Sequence, residues 1–208
     1  MRIAVFASGG GSNFQAIADA CLDESIPAEV VCCIASRPDA GVIERAKHLE
    51  IDVHVLSSSP EGIAGEILRV LDQKNVDLIA LAGFMKMIPE SVVRLYRNRI
   101  LNIHPALLPD FGGKGMYGMN VHRAVIESGA SESGATVHLV DEHYDTGAVV
   151  LQESVNVEEN DSPEDLAERV LHVEHRLYPR AIALFANDRV RIEGRHVEIL
   201  ERDSPDDN

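Results

Sequence analysis

A chain of 208 residues with 45% hydrophobic content can bury a substantial core, and it is read as one domain over residues 1–200 followed by a short polar tail, 201–208. Its 34 acidic residues against 19 basic ones leave a formal charge of -15, which argues against nucleic acid as a partner; a phosphorylated small molecule stays open, because a nest of backbone N–H groups holds an anion whatever the net charge. No stretch approaches the roughly 20 apolar residues of a membrane helix, and Met1–Ala7 is apolar too briefly for a secretory segment, so a cytoplasmic protein without a membrane partner is expected.

Arg2–Ala7, Val30–Ala35, Val53–Leu56 and Leu78–Ala82 are β-branched runs of strand length, and the patterns between them become helical near Ser12, Gly41 and Pro60. This alternation predicts an α/β fold of Rossmann-like kind, an open, mostly parallel twisted sheet with helices on both faces joined by right-handed crossovers. A helix beginning near Pro89 leads to a fifth strand, Ile100–Ile103, and Pro105–Gly118 is the longest irregular stretch. A helix over Asn120–Ser128 and strands at Ala135–Val140 and Val149–Val157 follow. Asp161-Ser162-Pro163-Glu164-Asp165 is a helix start, with Ser162 as cap, Pro163 in the first turn and acids at the positive end of the dipole. That helix is expected to reach about Ala186. Arg189–Ile192 and Val197–Leu200 flank a turn and predict a hairpin, while Asp203–Asn208 is expected to be disordered.

Cys21, Cys32 and Cys33 form an odd set without C-x-x-C spacing, which points to buried thiols rather than a disulfide framework or zinc site. His172 and His175 lie three apart on the last helix without an evident third ligand, and no metal is expected. His138, in a strand, reads as a core histidine with a satisfied ring.

Ser8-Gly9-Gly10-Gly11-Ser12-Asn13 stands between the first strand and the first helix, where backbone N–H groups and the helix dipole make an anion site suited to phosphate. Phe14 occupies the place of the third glycine of a dinucleotide fingerprint, so that cofactor is disfavoured. Its remaining support is Ser36 and Arg37 at the end of the second strand, where a 2′-phosphate could be held. A glycine turn that merely starts a helix is the bland alternative.

Leu101-Asn102-Ile103-His104-Pro105 is the most informative segment. Residues two apart on a strand share a face, so Asn102 and His104 project together while Ile103 turns to the core. Pro105 ends the ladder at the carboxyl edge of the sheet, where open α/β folds place ligands. An amide N–H beside an imidazole suits a developing oxyanion. Asp145, before Gly147 in a turn, is the candidate carboxylate for holding His104 in its charged form. Taken singly, each of the three is as readily a loop or cap residue.

Together these strings resemble the glycinamide ribonucleotide formyltransferases of the folate-dependent formyltransferase family. The resemblance rests on Ser8–Asn13, Leu81-Ala82-Gly83-Phe84-Met85, Leu101–Pro109 with its Asn-Ile-His-Pro-x-Leu-Leu-Pro, Asp145-Thr146-Gly147 and Glu174-His175-Arg176-Leu177-Tyr178-Pro179, and it covers about residues 1–200. It implies formyl transfer from 10-formyltetrahydrofolate to the amine of glycinamide ribonucleotide in purine synthesis, with Asn102, His104 and Asp145 as the catalytic set. It implies that Gly11, Ser12 and Asn13 hold the substrate phosphate, that Met85 touches the substrate and that Glu174 takes the ribose hydroxyls. Lys86, Met87 and Ile88 would line the folate pocket, and Glu142, His143 and Tyr144 would close over the pterin. Small molecules are then the only partners, with the chain a monomer or homodimer. The alternatives are a formyltetrahydrofolate deformylase, which shares the catalytic trio, and formyl transfer to another amino-sugar acceptor.

Overall fold

The computed structural model describes residues 1–57 and 62–201; the expected helix start near Pro60 and the expected disorder of Asp203–Asn208 lie outside the described residues. In chain order the elements are β1 (Arg2–Ala7), α1 (Ser12–Leu22), β2 (Glu29–Ala35), α2 (Val42–His48), β3 (Val53–Val55), α3 (Ile63–Gln73), β4 (Leu78–Leu81), α4 (Glu90–Leu95), β5 (Ile100–His104), α5 (Met119–Ser128), β6 (Glu132–Leu139), β7 (Val149–Asn156), α6 (Pro163–Ala186), β8 (Val190–Glu193) and β9 (His196–Ile199). The main sheet has the order β3-β2-β1-β4-β5-β6-β7, and β8 and β9 form a separate two-stranded ribbon. β1 to β5 run parallel, whereas β6 pairs antiparallel with both β5 and β7. The expected open, mostly parallel sheet is therefore what forms.

Strand β1 shows why its sequence is continuously apolar. Ile3, Val5 and Ala7 join a core cluster with α1, α2 and α6, while Ala4 and Phe6 join a second cluster with α3 and α4 on the opposite face. With helices covering both faces, the two-residue period of the strand calls for apolar side chains at every position.

The strand order turns back between β1 and β4, which places a crevice outside the carboxyl ends of those strands. The glycine loop, the segment after β4 and the end of β5 all open on that edge. Helix α6 braces it from one face. Its start is a capping box, with Ser162 Oγ accepting from the Asp165 N–H at 3.1 Å and the Asp165 carboxylate accepting from the Ser162 N–H at 3.0 Å. Farther along, the fully buried Tyr178 hydroxyl lies 3.1 Å from the carbonyl of Leu81, the last residue of β4, and 3.0 Å from that of Leu101, near the start of β5, and donates its hydrogen to them. Burial pushes this phenol well above its ordinary pKa, so it stays a donor. Tyr178→Phe is expected to lower the unfolding free energy in urea by about 1–3 kcal/mol, the cost of leaving buried carbonyls without their donor.

Most strand boundaries fall within one residue of expectation, and two bear on the site. β5 runs on to His104, and β6 begins at Glu132 rather than Ala135. Glu132, Ser133 and Gly134 have low strand propensity, and β7 recruits them into the ladder through partners Asn156, Val155 and Ser154.

Candidate active site

The loop after β1 is sewn to the segment after β4. The Ser8 N–H donates to the Gly83 carbonyl at 3.1 Å, and Ser8 Oγ accepts from the Met85 N–H at 2.8 Å and from the Ser36 hydroxyl at 2.7 Å. Ser36 is thus engaged in this internal bond, and Arg37 makes an exposed pair with Asp39 at 3.2 Å. Gly11 opens α1 at φ +78°, and a Cβ there would lie 2.7 Å from Val42 Cβ. Only glycine fits this turn. Because α1 starts at Ser12, its first N–H groups have no partner within the helix and lie where the dipole favours an anion.

Glu174, from the middle of α6, reaches the same loop. Its Oε2 accepts from Asn13 Nδ2 at 2.6 Å, and both side chains are buried. Burial raises the carboxyl's pKa, and the Asn13 bond only partly offsets it. Asn13 Oδ1, also buried, has no partner among the described residues. An unpaired acceptor beside a carboxylate is a fit for hydroxyl donors. After β4, Met85 and Met87 are half exposed along the crevice wall, but Ile88 is turned into the core under α4 with 6% exposure. Any contact Ile88 makes with a ligand is therefore through its backbone.

The segment over residues 141–147 is held by Asp141, whose Oδ1 accepts from the His143 N–H at 3.0 Å and from the Thr146 hydroxyl at 2.7 Å. Glu142, His143 and Tyr144 are exposed on it. Asp145 points the other way, inward, with a side chain only 12% exposed.

Asp145 meets two strand-borne histidines. Its Oδ1 lies 3.7 Å from His104 Nδ1 and 3.6 Å from Nε2 of His138. His138 faces Asn102 directly across the β5–β6 pair, and its Nε2 lies 3.0 Å from Asn102 Nδ2. His138 is the core histidine with a satisfied ring that its strand position predicts: Nδ1 meets the Leu139 carbonyl at 2.8 Å, and the partner of Nε2 is the candidate catalytic residue Asn102. The antiparallel register of β6 against β5 puts it on the face of Asn102.

A turn after β5 ties the group together. The Phe111 carbonyl accepts from His104 Nε2 at 2.9 Å, and the Gly113 N–H donates to Asp145 Oδ2 at 2.9 Å. Phe111 and Asp145 adopt left-handed backbone, at φ 54° and 55°, an arrangement that costs energy in a non-glycine residue and collects at functional sites. Between them Gly112 passes so close that a Cβ would stand 2.6 Å from Leu108 Cδ2 and 3.3 Å from Asp145 Cβ. The preceding segment is anchored by buried Thr136 on β6, whose Oγ1 donates to the Ala106 carbonyl at 2.6 Å and accepts from the Leu108 N–H at 3.1 Å.

The charge state of His104 also differs from expectation. Burial lowers its pKa more than Asp145 and the Phe111 carbonyl raise it, and His138 lowers it further. The net direction favours the neutral ring in the free site. Burial acts on Asp145 in the raising direction, but the rings of His138 and His104 and the Gly113 N–H together bring it below the ordinary carboxylate value. Behind His104, His122 of α5 is buried with Nδ1 unpaired, its pKa pushed down to about 4 by burial and then by His104. Among the described residues no group of three or more His, Cys, Asp or Glu side chains could hold a metal ion, and no helix is long and apolar enough to cross a membrane.

Residues 1–182 match the family described as "Formyl transferase". The chain is 44% identical over 212 residues to "Phosphoribosylglycinamide formyltransferase, chloroplastic" of Arabidopsis thaliana, an alignment that takes in 99% of this chain and 73% of the relative. It is 38% identical to "Phosphoribosylglycinamide formyltransferase" of Escherichia coli (strain K12), over 92% of this chain and 90% of that one. Its fold is similar to the crystal structure of glycinamide ribonucleotide transformylase 1 from Symbiobacterium toebii, with a TM-score of 0.91 and 41% identity over 97% of this chain and 94% of the other. Identity at this level along nearly the whole length, on a matching fold, means that the chain belongs to the phosphoribosylglycinamide formyltransferases, formyl-transfer enzymes of purine biosynthesis.

Proposed function

We propose that the chain moves the formyl group of 10-formyltetrahydrofolate to the amine of glycinamide ribonucleotide, with Asn102, His104 and Asp145 carrying the chemistry. The observation behind this reading is the approach of Asp145 Oδ1 to 3.7 Å from His104 Nδ1, with Asn102 two residues back on the same strand face. Asp145 approaches His104 from a separate segment, and Asn102 is linked to the pair through His138. The phosphate goes to the backbone at Gly11, Ser12 and Asn13, and the ribose hydroxyls go to Glu174 and Asn13. Met85 touches the nucleotide, and the folate lies along Lys86, Met87 and Ile88, beneath Glu142, His143 and Tyr144.

The amine lone pair forms a bond to the formyl carbon while the carbonyl pair moves to oxygen. Asn102 donates an N–H to that oxygen. The amine, now acidic, releases its proton to neutral His104 at Nδ1, directly or through water, and Asp145 stabilises the imidazolium so formed. The imidazolium donates to the oxyanion and then supplies the proton to the folate nitrogen as its bond to carbon breaks and the carbonyl reforms. No enzyme nucleophile takes part. The proposal keeps the protein cytoplasmic, a reading supported by three unpaired cysteines, and working on small molecules as a monomer or homodimer.

The test follows tetrahydrofolate product with the glycinamide nucleotide present and absent. Turnover that requires the acceptor is the expected result. Equal turnover without it would make the enzyme a hydrolase of the deformylase kind.

A further inference from the structure

We propose that His138 is a positioning residue whose ring fixes which way the Asn102 amide faces. The inference rests on the proposed role of Asn102 and adds a residue to it.

His138 Nδ1 lies 2.8 Å from the carbonyl of Leu139, its neighbour on β6. A carbonyl only accepts, so the Nδ1 atom carries the hydrogen and the neutral ring presents a lone pair at Nε2. That lone pair stands 3.0 Å from the Asn102 side chain, and only the amide nitrogen is a suitable partner there. With the amide inverted, Oδ1 and Nε2 would be two acceptors in contact. The backbone of β6 thus sets the tautomer of His138, and the tautomer sets the face of Asn102. One N–H of the amide is held by the ring and the second is free for the formyl oxygen. An inverted amide would put an acceptor against the developing negative charge.

Asp145 Oδ1 lies between His138 Nε2 at 3.6 Å and His104 Nδ1 at 3.7 Å, so the carboxylate attracts a proton to either ring with nearly equal reach. Protonating His138 at Nε2 would cost its bond from Asn102. His104 pays no such penalty, because its Nε2 donates to the Phe111 carbonyl and its Nδ1 is open. The groups facing His138 are therefore Asn102 and His104 of β5, Asp145 of the segment before β7 and the Leu139 carbonyl of its own strand.

The experiment uses the full-length enzyme with His138→Leu, His138→Gln, Asn102→Ala and the double variant His138→Leu/Asn102→Ala. Leucine removes the acceptor; glutamine reaches the position of Nε2 with a carbonyl oxygen and restores it. His138→Leu is expected to lower kcat by an amount approaching the roughly hundredfold loss of one oxyanion donor, with the nucleotide KM within about threefold of the parent. His138→Gln should recover most of that loss, and the double variant should be about as slow as Asn102→Ala alone, since both changes remove one interaction. Multiplied losses in the double variant, or equal losses for Leu and Gln, would overturn the proposal. Full activity in Asn102→Ala would instead overturn the reading of the site itself. Nitrogen-15 shifts of the His138 ring in the unaltered enzyme give a check independent of any variant: protonated Nδ1 and bare Nε2 are expected, and the opposite tautomer refutes the mechanism.

Discussion

Asn102→Ala is expected to cut kcat by about a hundredfold or more, roughly 3–4 kcal/mol of transition-state stabilisation, while the protein still unfolds in one cooperative step. The amide is the proposed fixed donor for the formyl oxygen. Substrate affinity should change little, because phosphate and ribose are assigned to Gly11–Asn13 and Glu174, on α1 and α6, away from β5. A loss confined to kcat is the signature of an interaction made in the transition state. The structural penalty is small by comparison: His138 Nε2 loses its donor, worth about 1 kcal/mol net. Steady-state kinetics in both substrates with urea unfolding of the same sample separates the two effects. Activity near that of the parent would show that the amide does not face the reacting oxygen.

The sequence makes some of this site visible and conceals the rest for definite reasons. Asn102 and His104 are legible because they are two apart on one strand, where the period of the backbone alone puts them on one face. Asp145 is legible as a turn residue, and its approach to His104 is a matter of tertiary contact. The link from His138 to Asn102 escapes notice because the two lie 36 residues apart, and the register of an antiparallel pair cannot be read from either strand separately. The Phe111 carbonyl and the Gly113 N–H leave no mark in composition, since every residue carries those groups. The contact between Asn13 and Glu174 spans 161 residues, joining two strings that the resemblance implicates one by one. The charge on His104 is misjudged for a related reason: the carboxylate can be guessed from the chain, but the burial that outweighs it belongs to the packed structure.

Acidification from pH 7 to 4 should cost the fold about 3 kcal/mol through His122, whose pKa lies at about 4 in the folded protein against an ordinary value of 6.5. At pH 7 the ring is neutral in both states and contributes nothing. Below 6.5 the unfolded chain binds a proton that the folded chain refuses, so the unfolded state gains stability as pH falls, until the folded ring also titrates near 4. His104 is shifted in the same direction by burial and adds to the slope. Asp145, held below the ordinary carboxylate value, stabilises the fold only where it is ionised, and that contribution is lost at lower pH than the histidine window. His122→Leu isolates the effect, because leucine suits both the helix and the buried face shared with Val121 and Val125, and it removes the unpaired Nδ1. In urea unfolding the variant should lie within about 1 kcal/mol of the parent at pH 7, yet lose about 2–3 kcal/mol less than the parent on going to pH 4.5. Parallel losses in the two proteins would mean that His122 accepts its proton without cost when folded. A ring excluded from charge directly behind His104 also limits the site itself, since a proton on His122 would repel the one that His104 must take from the attacking amine.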